Sequence, residues 1–159
     1  MKYKLTDETI TYSGRTLHRI EALKDFGDVK AGDKGGYIER EDNLSQIGRC
    51  WVSGNAEVSG NARAYGNAKV FGNARVSGDA EVSGDASVSG AADYIVFKNW
   101  WSSGRYFTWT KSNNMWKVGC FYGTGKELID KAYNDSATSG REYERIVKYV
   151  EEICKENKL

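Results

Sequence analysis

Residues 52–93, set out in blocks of six, read VSGNAE, VSGNAR, AYGNAK, VFGNAR, VSGDAE, VSGDAS and VSGAAD. The first position is valine in every block but one, where it is Ala64. The third is always glycine and the fifth always alanine, from Gly54 and Ala56 to Gly90 and Ala92. Three preceding blocks, KGGYIE, REDNLS and QIGRCW, keep the frame loosely: Gly36 and Gly48 fall in the glycine column, and Ile38, Leu44 and Cys50 in the alanine column. One β-branched and one small residue per block therefore point inward, and the other side chains face water. A glycine in each block lets the backbone turn where a Cβ would clash. An amphipathic helix is excluded, because the period is not 3.6 and each interior glycine would cost about 1 kcal/mol. Separate hairpins are disfavoured, since strands this short do not pair alone. Coiling the blocks and stacking the coils satisfies the backbone and builds a continuous thin core.

This pattern resembles the left-handed parallel β-helix of hexapeptide-repeat proteins, in which three blocks make one triangular coil. The resemblance implies a short left-handed parallel β-helix over residues 34–93, a little over three coils of 18 residues each. Residues 18 apart then stack, which sets Glu57 over Arg75 and Arg63 over Glu81. Opposite charges meet at both positions. Each exposed pair adds only about 0.2–1 kcal/mol, but together they fix a register that could otherwise slip.

The flanks differ from the repeat. Residues 1–33 alternate as strands over 3–5, 9–12 and 16–22, with turns expected at Asp7-Glu8 and Ser13-Gly14-Arg15; this predicts an N-terminal β cap shielding the end of the coils. After Asp93 the stretches YIVFKNWW (94–101), RYFTWTK (105–111) and MWKVGCFY (115–122) predict three aromatic-rich strands. Two helices follow, with Thr124/Glu127 and Ser139/Glu142 matching the S/T-x-x-E capping box. The C-terminal unit, 94–159, is thus β-β-β-α-α, and the chain as a whole is mainly β.

Composition bounds the function classes. Twenty-three basic and 22 acidic residues leave a net charge of +1, so no global field favours nucleic acid or an anionic membrane. No apolar run reaches the roughly 20 residues that span a bilayer, and the first 14 residues carry no signal-peptide core, so a soluble, intracellular protein is expected. Cys50, Cys120 and Cys154 fit neither a zinc cluster nor a disulfide framework and read as reduced, mostly buried thiols. No cofactor or metal is expected.

The blocks GRTLHRIEALKDFGDVKAGDKGGYIE (14–39), the GNA repeats and VGCFYGTGKELIDKAY (118–133) together resemble a family of uncharacterised phage and prophage proteins. That resemblance implies an accessory phage protein in the cytoplasm of the bacterial host, with a counter-defence role as one expectation and a structural virion component as another. Hexapeptide-repeat acyltransferases place a catalytic histidine on a coil or loop at a trimer interface. Here the single histidine, His18, lies in the cap, so a degenerate acyltransferase is the alternative rather than the first reading.

Three features are candidates for binding. Tyr65 and Phe71 break the outward serine column in successive blocks and predict contact with a sister subunit or the C-terminal unit. Trp100, Trp101, Arg105, Trp109 and Trp116 form an aromatic-basic cluster able to stack a base or anchor a partner, although core packing covers most of it. Gly123, Thr124, Gly125 and Lys126 open a helix whose free N–H groups suit a phosphate or carboxylate; the spacing excludes a P-loop, and a plain N-cap is the simpler reading. The expected partners are further copies of the chain, with a homotrimer favoured, and a host protein or a small anionic, nucleotide-like ligand.

Overall fold

A computed structural model describes residues 1–158; Leu159, the last residue of the expected C-terminal unit, lies outside them. The chain begins with β1 (Tyr3–Tyr12), β2 (Arg15–Ala22) and β3 (Lys34–Ile38). Seven two-residue strands follow: β4 (Trp51–Val52), β5 (Glu57–Val58), β6 (Arg63–Ala64), β7 (Lys69–Val70), β8 (Arg75–Val76), β9 (Glu81–Val82) and β10 (Ser87–Val88). The remainder is β11 (Tyr94–Lys98), β12 (Tyr106–Thr110), β13 (Met115–Val118), β14 (Phe121–Gly123), α1 (Gly125–Asp135) and α2 (Ala137–Asn157). The structure is mainly β and divided among several sheets, with no closed barrel.

The short strands stack in parallel on three faces: β3-β5-β8, β4-β7-β10 and β6-β9, the last extended by a bridge from Leu44 to Ala64. Glu57 pairs with Arg75 and Arg63 with Glu81, the 18-residue register expected from the charges. Val52, Val58, Val70, Val76, Val82 and Val88 are fully buried, as are the alanines between them, so the columns do point into one core. Of the two charge pairs, Arg75 and Glu57 form a 3.0 Å ion pair, whereas the Arg63 guanidinium lies over the Tyr65 ring. Asn61 over Asp79 and Asn67 over Asp85 add hydrogen bonds of 3.3 Å along the same register.

Both ends of the repeat depart from the hexad frame. Ile38 pairs with Val58 and Leu44 with Ala64, so both occupy the valine column rather than the alanine column. Cys50 returns to the alanine column, its N–H reaching the Gly66 carbonyl. The first coil therefore carries two extra residues at the corner 45–49, where Ile47 is thrown into solvent. Gly36 falls in the alanine column; a Cβ there would meet Val52 Cγ1 and the Ala56 carbonyl oxygen. At the other end Ala92 is exposed in a 3₁₀ turn, and the last parallel strand closes at Val88. Block 88–93 is the exit from the coil and not a tenth side.

The open edges of the first and last coils are met by side chains from the flanking segments. In a parallel ladder the N–H and C=O of alternate residues both face the same neighbouring coil, so each open edge presents donors and acceptors alike. At the first coil the buried Lys2 ammonium donates to the carbonyls of Cys50 (2.8 Å) and Gly48 (3.3 Å), and the Tyr3 hydroxyl to that of Leu44 (2.5 Å). At the last coil Glu81 N–H donates to the Thr108 hydroxyl (2.9 Å) and Ser87 N–H to the Ser112 hydroxyl (2.8 Å).

The caps also correct the local expectations. Asp7-Glu8 is no turn: β1 runs through it with a register shift between Leu5 and Thr9 while pairing with β2. The C-terminal sheet has four strands, because Gly119 turns the third predicted strand into β13 and β14 at φ +56°. Thr124 caps α1 as predicted, but Ser136 caps α2, and Ser139 lies inside that helix. Residues of β11 split by alternation: Tyr94 and Val96 pack on the coil core, Ile95 and Phe97 on the helices. The sheet is thus sandwiched between the last coil and the α1–α2 pair.

Candidate functional site

The face made by β4, β7 and β10 is walled on one side by the loop of residues 23–33, which the N-terminal cap folds back beside it. Between wall and face lies a cleft of about 790 Å³. Phe26 of the loop packs edge-on to Trp51 of the first coil, with ring centroids 5.3 Å apart, and so fixes the wall. The stacking register then sets the floor in columns: Arg49, Asn67 and Asp85 in one, Trp51, Lys69 and Ser87 in the next, Ser53 and Phe71 in the third. Phe71 is 41% exposed here, a large apolar ring open to the cleft. Lys34, Arg49 and Lys69 are exposed, and none of them is in an ion pair among the described residues. Asp28, Asp33 and Asp85 supply carboxylates along the same cleft. A planar ring against Phe71, an anionic group near the cations and amino groups near the aspartates would all find partners.

The other sequence candidates separate. Tyr65 turns toward the C-terminal unit, with Lys117 Nζ 5.8 Å from its ring centroid; burial pushes its phenol up to about 12. It packs within the chain and not into the cleft with Phe71. Trp109 and Trp116 are 1% exposed and belong to the core under α1 and α2, which corrects their reading as a binding face. Trp101 is half-buried, donating to Ser139 Oγ at 3.0 Å and meeting Tyr143 edge-on. Trp100 is left 71% exposed, and Arg105 lies apart from it beside Cys120 and Tyr122. The aromatic cluster is therefore not one surface, because a sheet covered on both faces buries both sets of alternating side chains.

At the start of α1 the capping box forms in full: Thr124 Oγ1 accepts from Glu127 N–H (3.2 Å), and Thr124 N–H donates to Glu127 Oε1 (3.0 Å). That backbone hydrogen bond holds the Glu127 carboxyl below its ordinary range. Gly123 is buried and Lys126 exposed. His18 sits in β2, paired with Ile38 of β3, with Nδ1 3.1 Å from the Thr6 carbonyl. Of the cysteines, Cys50 is buried, Cys154 half-buried and Cys120 exposed, so the expectation of mostly buried thiols holds for the first alone. No helix among the described residues is long and apolar enough to cross a membrane.

Of the cleft residues, sequence reasoning had singled out Phe71 alone. Arg49 and Lys69 sit at variable repeat positions, Lys34 opens the first loosely framed block, and Phe26 and Asp28 lie in a segment with no periodicity. The lone signal was an outward phenylalanine in a serine column.

No family model matches the chain. Over 59 residues it is 41% identical to the uncharacterized acetyltransferase YdcK of Escherichia coli (strain K12), an alignment covering 32% of this chain and 18% of that protein. The chain thus spans less than a fifth of that relative's length.

Proposed function

We propose that the chain is a non-catalytic binding protein: a left-handed parallel β-helix that self-associates, as a homotrimer, and holds a small anionic, nucleotide-like ligand in the cleft between the 23–33 loop and the coil face. The observation that carries this reading is the set of three unpaired cations beside the exposed Phe71 ring. Such a cleft suits sequestration, since the pocket offers ring stacking and charge but no positioned histidine. The resemblance to phage proteins supports an accessory role in the host cytoplasm, with counter-defence as its setting.

Native mass spectrometry of protein purified gently from producing cells tests it. A homotrimer with a reproducible small adduct, lost together in Phe71→Ser and Lys69→Gln, is the expected result. A monomer without adduct, and without binding to a panel of nucleoside phosphates, overturns it.

The partial similarity to YdcK favours a second reading, a degenerate acetyltransferase. Acetyl-CoA consumption that disappears in His18→Ala would establish it and displace the first.

A further inference from the structure

We propose that the recess between β13 and the first turn of α1 is a binding site for a phosphate monoester, separate from the cleft on the coil face. The recess holds about 440 Å³ and is lined by Lys111, Trp116, Gly125, Lys126, Val147 and Glu151, among others.

Three residues of its lining carry N–H groups without a protein acceptor among the described residues. The capping box consumes the N–H groups of Thr124 and Glu127, and Leu128 N–H turns back to the Thr124 carbonyl. The backbone N–H groups of Gly125 and Lys126 have no acceptor among the described residues. The third donor is the Trp116 indole. Trp116 is 1% exposed, yet its Nε1 donates to nothing among the described residues, whereas the indoles of Trp101 and Trp109 donate to Ser139 and Asn114. An indole N–H can only donate; on this almost wholly buried side chain it opens to the recess, where an oxygen acceptor of a bound ligand would meet it. Its aim is fixed by Gly125: a Cβ on that residue would sit 3.4 Å from Trp116 Nε1 and 2.7 Å from Val147 Cγ1. Glycine keeps open the space that joins the indole to the helix terminus.

A helix N-terminus adds partial positive charge, and the Lys126 ammonium stands at its rim. A tetrahedral phosphate offers an oxygen to each of the three donors. The apolar walls from Trp109, Val147 and Val150, and a volume larger than a bare ion, favour an ester with a small organic group. Two carboxylates oppose the anion. Glu127 is part of the capping box, and Glu151 lines the recess from α2; Lys111, the second cation, is already paired with Asp93 at 3.1 Å.

The test is an NMR titration of the ¹⁵N-labelled full chain with glycerol phosphate, inorganic phosphate, acetate and chloride at constant ionic strength. The indole N–H signal is assigned by its loss in Trp116→Phe. Saturable movement of that signal with the Gly125 and Lys126 amides is expected for glycerol phosphate. Lys126→Gln weakens the binding, and Glu127→Gln tightens it about two- to fivefold, because glutamine keeps the capping box while removing a charge from the helix terminus. The proposal is overturned if glycerol phosphate gives no saturable movement, if acetate or chloride moves the signals equally, or if neither charge variant changes the affinity.

Discussion

Alanine placed at Gly66 and, separately, at Gly78 separates two roles that glycine plays in this coil. Both residues have nearly the same backbone, φ +65° and +66°, so the left-handed conformation penalises a Cβ equally at each. That penalty is about 1–2 kcal/mol, offset by about 0.4–1 kcal/mol because alanine restricts the unfolded chain. The surroundings differ. A Cβ at Gly78, on the last coil, meets nothing within 4 Å. At Gly66 it would lie 3.0 Å from Gly84 N and 3.5 Å from Gly84 O, directly on the coil beneath. Gly84 cannot withdraw, since its carbonyl holds Asn67 N–H at 2.9 Å and the Tyr122 side chain lies close to it on another side. Overpacking of that kind adds about 1–3 kcal/mol. Gly78→Ala should therefore cost about 1 kcal/mol and Gly66→Ala about 2–4 kcal/mol, the sum of the two effects. Urea unfolding followed by far-ultraviolet circular dichroism reads the difference as a gap of about 1 M in midpoint, for a slope of about 2 kcal/mol per molar. Equal midpoints, or Gly78→Ala the less stable of the two, would refute the claim that coil stacking adds to the turn conformation.

Lys2→Met should destabilise the chain by about 1–3 kcal/mol by leaving the Cys50 and Gly48 carbonyls of the first coil without donors, measurable in the same urea experiment. Burial also holds the Lys2 ammonium below its ordinary 10.5, so the unfolded chain binds the extra proton; stability rises with pH between the depressed and the ordinary value, and Lys2→Met abolishes that rise. Tyr65 has the opposite sign: burial raises its phenol to about 12, the unfolded chain loses the proton first, and stability falls as pH rises from 10 through 12. Thermal melts of Tyr65→Phe across that range should show a shallower fall than the parent; an unchanged slope would place the phenol in water.

The reach of the sequence follows from how local each feature is. The valine and alanine columns, the 18-residue stacking and the Thr124 cap each depend on residues that recur or lie within one turn. Periodicity therefore reports them directly. The register of the first coil does not recur, and a two-residue insertion at 45–49 moved Ile38 and Leu44 from one column to the other. In β12 the alternation is present, Phe107 and Trp109 toward the helices against Thr108 and Thr110, but it does not report exposure, because the threonine face is buried too and Thr108 reaches the coil. The cleft could not be read at all, because Phe26 and Lys34 meet Lys69 and Phe71 through the fold of the cap, across 35 or more residues of chain.

By itself the sequence determined a repeating core, since one inward valine and one inward alanine in every six residues admit a single periodic way of burying them. Only the tertiary structure decided how that core ends. Each open edge leaves backbone groups without a neighbouring coil, and the residues that reach them, Lys2 and Tyr3 at the first coil and Thr108 and Ser112 at the last, carry no local pattern. An open edge is a property of the assembled coil, and its caps come from whatever part of the chain can reach it with a complementary group.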